Sequence, residues 1–351
     1  MQRNGEIDFL RFIFAIFIML LHFGYRPTIT ILGVTLKLGA RGGFGVIFFF
    51  IVSGFFLTKT AKKYDGTKDV SGCCIEFAKK KYFHYMTWYF PAFILCALLY
   101  AVKNGIADAV KNAIYSVPNL LLLGSFGFSS DAGESIGYYI GASWFISTLF
   151  WCQLILFPLM ISNYKRYMYV VAPISFLFSI ASMRSGFLSE VYFPAQAFTA
   201  IILGTIAYDA TERINMIKLK KGFAVFLRVL AVIVYIGSFI YMCQDQHENL
   251  QYALMFLLTF AIIVSNSEFG NIKLFNKPIY VFLGQNSFPL YLLHIQIQHW
   301  GEFIIEKVGV EIGDGVKYLL LYCCAVVISA IAYLIYNKAK KISISKLIME
   351  K

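Results

Sequence analysis

Residues 7–23 read IDFLRFIFAIFIMLLHF. Between Arg11 and His22 every residue is apolar, and the run is long enough to cross a bilayer as a helix. Eleven residues make almost three helical turns. The two side chains therefore share one face, roughly 16 Å apart along the axis, and Asp8 falls on the same side. A guanidinium and an imidazole on one stripe of a membrane helix are costly, about 2.5–3.5 kcal/mol for a charge at the centre of the bilayer. Their presence points to use.

The rest of the chain repeats the apolar theme. Its 351 residues are 59% hydrophobic and 14% charged, far below the charge fraction of an ordinary soluble domain. Mostly apolar runs predict ten membrane helices, near 7–24, 42–58, 83–102, 143–161, 167–182, 194–210, 222–242, 250–266, 279–299 and 316–336. The expected architecture is an all-α, polytopic membrane helical bundle forming a single domain over residues 1–351. The first segment has no small-residue cleavage site and reads as a retained anchor. Lys and Arg concentrate in alternate loops, including 59–82, 211–221 and 337–351. This places both termini in the cytoplasm. The same asymmetry accounts for the net charge of +12, so nucleic acid is not expected as a partner. The seven cysteines show no metal-ligand spacing, and no metal is expected. Between the third and fourth helices, the run SVPNLLLLGSFGF at 116–128 is too short to span. It either lies along the outer interface or re-enters.

Three further groups of residues carry chemistry. His294, in the ninth apolar run, reaches a depth similar to His22, and Ser287 lies two turns below it on the same face. Two histidines at one depth on different helices predict a polar pocket. A histidine bonded to backbone between packed helices is the plainer reading of His294. Lys79, Lys80, Lys81 and His84 close a basic loop that reads either as a topology and lipid signal or as a polyanion dock beside Arg11. Gly42, Gly43, Gly45, Ser53 and Gly54 in the second run allow close approach of a helix or a ligand.

Taken in order, these segments resemble the bacterial acyltransferase 3 family, polytopic enzymes that acylate envelope sugars and lipids. The resemblance rests on Asp8-Phe-Leu-Arg11 with the Arg11-x10-His22 spacing, on Gly45-Val-Ile-Phe-Phe-Phe-Ile-Val-Ser53-Gly54, and on Leu283-Gly-Gln-Asn-Ser287-Phe-Pro-Leu-Tyr291-Leu-Leu-His294. Two departures stand out. Lys80-Lys81 and His84 occupy positions where the family usually carries arginines, which keeps charge but loses the bidentate fork. The acidic pair seen in many members is missing around Trp144.

The resemblance implies transfer of an acyl group, foremost acetyl, from cytoplasmic acyl-CoA to a hydroxyl of an envelope polysaccharide or lipid-linked saccharide, in the bacterial cytoplasmic membrane. Arg11, Lys79, Lys80, Lys81 and His84 would hold the acyl-CoA. His22 would be the general base, with a transient acyl-histidine as the other chemical route. Asp8, Ser53, Gly54, Trp144, Ser287, Tyr291 and His294 would line the substrate pocket. A flippase for a polar envelope precursor is the rival reading. It would predict inverted repeats and interrupted helices, and neither is evident in the sequence.

Overall fold

The computed structural model describes residues 4–31, 33–124, 143–185, 192–244 and 250–349, with side chains to residue 342. It is 83% helical. The helices are α1 Gly5–His22, α2 Phe44–Ala61, α3 Val70–Asn104, α4 Ile106–Tyr115, α5 Val117–Leu120, α6 Ser143–Ser162, α7 Tyr164–Ser185, α8 Tyr192–Asn215, α9 Lys221–Met242, α10 Gln251–Asn266, α11 Pro278–Val308 and α12 Asp314–Met349. Each of the ten expected segments falls on one of them. Among the described residues, six helices (α2, α3, α6, α7, α9 and α12) are long and apolar enough to cross a membrane. The first turns of α1 carry Glu6, Asp8 and Arg11, and α10 is shorter, at 16 residues.

Three local features depart from the sequence reading. The α1–α2 connection forms a small antiparallel hairpin, β1 Thr28–Ile31 with β2 Val34–Lys37, in the register Thr28↔Lys37. Second, α3 begins at Val70, where the Asp69 carboxylate caps the free Gly72 N–H at 2.8 Å. Lys79, Lys80 and Lys81 therefore sit on a helix and not in a loop. Third, the chain after α3 folds back along it. The Leu120 carbonyl accepts from Tyr82 at 3.1 Å, and that of Leu122 accepts from Ser147 and from Trp151 at 2.8 Å. These side chains satisfy backbone groups left unpaired by the turn, as buried carbonyls require. The first part of the 116–128 run thus returns toward the bundle. The remainder, with residues 129–135, lies outside the described residues.

Helix α11 touches α1, α3 and α12, and α2 packs most extensively on α8. The α2–α8 crossing is as close as backbones allow. A Cβ on Gly54 would lie 2.0 Å from the Ile201 carbonyl oxygen, and one on Gly204 would lie 2.0 Å from that of Ile51. Bare backbone at both positions is what lets the helices meet. The α1–α11 contact works the same way. A Cβ on Gly284 would fall 2.4 Å from the Asp8 Cβ.

The first turn of α1 is tied down by a buried polar cluster. Asn4 caps it, its Oδ1 accepting from the N–H groups of Glu6 and Ile7, while its Nδ2 donates to the Ser265 carbonyl at 2.6 Å. The Glu6 carboxylate pairs with Arg228 of α9, and Arg228 also donates to the Ser265 hydroxyl at 3.0 Å. Both charged side chains are largely buried, at 6% and 14% exposure. Removing one partner of such a pair strands the other. Arg228→Leu is expected to cost about 3–5 kcal/mol of stability. The double variant Glu6→Leu/Arg228→Leu should recover most of that loss, as thermal unfolding in detergent would show.

Candidate active site

The α1–α11 contact fixes the site. Asp8 lies against Gly284, and its carboxylate reaches Arg11, one turn along, at 3.6 Å. Arg11 is thereby held on the face of α1 that looks into a cleft of about 220 Å³. Lys81 and His84 of α3 enter the same cleft from the opposite wall. Lys81 reaches it between the rings of Phe77 and Tyr85, its Nζ 5.5 and 6.0 Å from their centroids. The His84 ring lies nearly parallel to that of Phe288, with centroids 5.7 Å apart. The cations of Arg11 and Lys81 and the His84 imidazole, from two helices, thus line one cleft.

The walls between them are mixed. Ser53 and Ser287 contribute hydroxyls, and Gln153 an amide. The Ser287 hydroxyl donates to the Gly284 carbonyl at 2.7 Å. It therefore offers a lone pair to a ligand and not a proton, which removes it as an oxyanion donor in this arrangement. Ser53 has no hydrogen-bond partner among the described residues. The Gln153 carbonyl accepts from Tyr85 at 2.9 Å, which turns its amide nitrogen away from Tyr85. Pro289 has no N–H, so the Gln285 carbonyl beside this stretch lacks its usual helical donor.

Further along the helices the cleft ends on rings. Phe145 meets Tyr291 edge to face at 5.0 Å between centroids, and Phe49 lies 6.2 Å from Phe145 and 6.4 Å from Tyr291. One turn beyond Tyr291 on α11 is His294, fully buried. Its Nε2 lies 3.3 Å from Nδ1 of His22. The two histidines expected at one depth are therefore in contact, although neither of them lines the cleft.

The carbonyl contacts of this pair place a hydrogen on each Nδ1. A carbonyl oxygen can only accept. His294 Nδ1 lies 3.2 Å from the Leu290 carbonyl, and His22 Nδ1 lies 2.9 Å from that of Ile18. Each Nδ1 therefore carries the hydrogen. His294 Nε2 is then an acceptor, sharing the His22 Nδ1–H with the Ile18 carbonyl. No described residue engages His22 Nε2.

The remaining expected site residues lie elsewhere. Gly54 is spent on the contact with α8. Trp144 faces Phe193 at 4.4 Å and Phe50 at 6.4 Å, and its neighbour Phe145 takes the place on the cleft wall. Asp8 stands behind Arg11. Lys79 and Lys80 are on the exposed side of α3, about 100–200° around the helix from Lys81, and Lys80 pairs with Glu76 at 2.5 Å. The residues that sequence reasoning passed over are Phe49, Tyr85, Phe145, Gln153 and Phe288. An aromatic ring in an apolar run carries no mark of the cleft it faces. Gln153 is the exception, since an amide inside SWFISTLFWCQLILF is a visible signal. Among the described residues, no group of three or more His, Cys, Asp or Glu could hold a metal ion.

Long apolar helices surround a cleft with Arg11, Lys81 and His84 in its lining and a buried histidine pair near Tyr291. Residues 4–335 match the acyltransferase domain that defines the acyltransferase 3 family, and the chain belongs to that family. It is an acyltransferase. No curated protein and no solved structure matches it.

The Asp8–Gly284 contact yields a direct expectation. Gly284→Val would push α11 off α1 and pull His294 from His22. Acyl transfer should fall at least tenfold, with protein still recovered in the membrane. Unchanged transfer by that variant would show that the contact does not hold the site together.

Proposed function

We propose that the protein transfers an acyl group, foremost acetyl, from cytoplasmic acyl-CoA to a hydroxyl of an envelope polysaccharide or lipid-linked saccharide. The observation that carries this reading is the order along one path: three basic side chains, a narrow cleft, then the His294–His22 pair. In this reading the chain spans the bacterial cytoplasmic membrane ten times, with both termini in the cytoplasm.

A cleft of 220 Å³ takes a slender arm and not a nucleotide. The CoA phosphates stay at the mouth with Arg11, Lys81 and His84, and the pantetheine arm threads inward. Arg11, fixed by Asp8, supplies the permanent charge. The acceptor hydroxyl approaches His22 from the other side. His22 Nε2 takes its proton as the oxygen attacks the thioester carbonyl, a role that contributes typically 10²–10⁴-fold. The imidazolium then hands that proton to the departing sulfur. His294, through its Nε2, holds the His22 ring with Nδ1–H directed inward and Nε2 outward.

Purified protein in detergent, given radiolabelled acetyl-CoA and an envelope glycan extract, tests the reading. Wild type should label the glycan, and His22→Ala should fall to background while inserting normally. Full transfer by His22→Ala would end the general-base role. In the same preparation, Arg11→Ala should weaken acetyl-CoA binding roughly tenfold or more, the scale of a lost hydrogen bond to a charged group. Half-saturation by the acceptor should change little. Equal losses for donor and acceptor would reduce Arg11 to a structural residue.

A further inference from the structure

We infer that Phe49, Phe145 and Tyr291 set the length of the acyl group this enzyme accepts, and that they restrict it to two or three carbons. The inference rests on the acyl-CoA reading above and names the substrate class within it. The three rings come from three different helices, α2, α6 and α11, and meet at the inner end of the cleft. Tyr291 lies 6.1 Å, centroid to centroid, from His294, and His294 lies 5.1 Å from His22. Tyr291 thus belongs both to the ring cluster that ends the cleft and to the surroundings of the histidine pair.

The donor enters with its phosphates held at the basic mouth, so the acyl group is its leading end. In the reaction the acceptor oxygen bonds to the thioester carbon, the carbon–sulfur bond breaks, and CoA leaves as the thiol. The proton taken from the hydroxyl by His22 ends on sulfur. For this to occur the thioester carbon must lie about 3–3.5 Å from the attacking oxygen. Everything beyond that carbon then has to fit among Phe49, Phe145 and Tyr291. Phe145 and Tyr291 are only 4% and 3% exposed, and Phe145 is also packed on Phe50 at 4.8 Å. Rings wedged this way do not yield cheaply to added methylenes. Phe49 is only half-buried and faces the cleft. A shift of Phe49 makes room for a methyl or ethyl group, whereas a longer chain must displace Phe145 or Tyr291 as well.

Competition binding in detergent tests this, with radiolabelled acetyl-CoA displaced by CoA, propionyl-CoA, butyryl-CoA and hexanoyl-CoA. Wild type should bind hexanoyl-CoA at least tenfold more weakly than acetyl-CoA. One methylene in a tight pocket is already worth about 10-fold or more. Phe145→Ala and Phe49→Ala should narrow that gap at least tenfold, each affinity being taken relative to the same variant's affinity for unacylated CoA. Phe145→Leu is the milder variant, to be read if Phe145→Ala does not fold. Phe157→Leu serves as the control. That ring is buried against Phe77 at 4.0 Å and does not line the cleft, and its loss should leave the chain-length profile as it was. A folded Phe145 or Phe49 variant with the wild-type profile would overturn the inference, and so would a wild type indifferent to chain length. Failure of wild type to bind any acyl-CoA saturably would instead bring down the donor assignment on which the inference stands.

Discussion

Asp8 lies against the bare backbone of Gly284, and most of the site follows from that contact. It brings α1 and α11 close enough for His22 and His294 to share a hydrogen. It also places the Asp8 carboxylate where it steadies Arg11. A carboxylate beside a guanidinium in a mostly apolar helix is tolerable because each offsets the charge of the other. The pair is thus also the device that aims the one permanent cation of α1. The Glu6–Arg228 cluster does similar work at the first turn, anchoring α1 to α9 and α10.

The division of labour among the helices has a physical logic. Basic groups with mobile stems (Lys81, Arg11) sit at the mouth, where a long side chain can follow a charged ligand. Groups that need fixed geometry sit deeper. His294 is held by the Leu290 carbonyl, and His22 by the Ile18 carbonyl and His294 together. Between them the walls carry the hydroxyls of Ser53 and Ser287 and the Gln153 amide as well as the rings of Phe49, Phe145 and Tyr291.

Much of this was legible in the sequence because a charge or imidazole inside an apolar run is conspicuous. Asp8, Arg11, His22, Ser287 and His294 stand out, and helical arithmetic alone places the two histidines at one level. Other features were hidden for identifiable reasons. The partner of Glu6 lies 222 residues away, and no local pattern joins it to Arg228. Lys79 to Lys81 read as loop because they are charged. Asp69 four residues into a polar stretch was nevertheless a helix start in plain view, and the helical twist then leaves only Lys81 facing the cleft. Phe49 and Phe145 carry no mark in a chain with 35 phenylalanines. Gly54 fitted approach by either a helix or a ligand, and it is the Ile201 backbone of α8 that approaches it. Bare backbone serves both uses equally, and only the position of Ile201 distinguishes them.

The proposed reaction depends on a line of approach from Arg11 and Lys81, along the cleft and past the rings that end it, to the histidine pair. An experimental structure with bound CoA examines that path most directly. The phosphates should contact Arg11 and Lys81, with the thiol end pointing past Ser287 toward Tyr291 and His22. CoA lying on another face of the bundle, or with its thiol directed away from His22, would contradict the account.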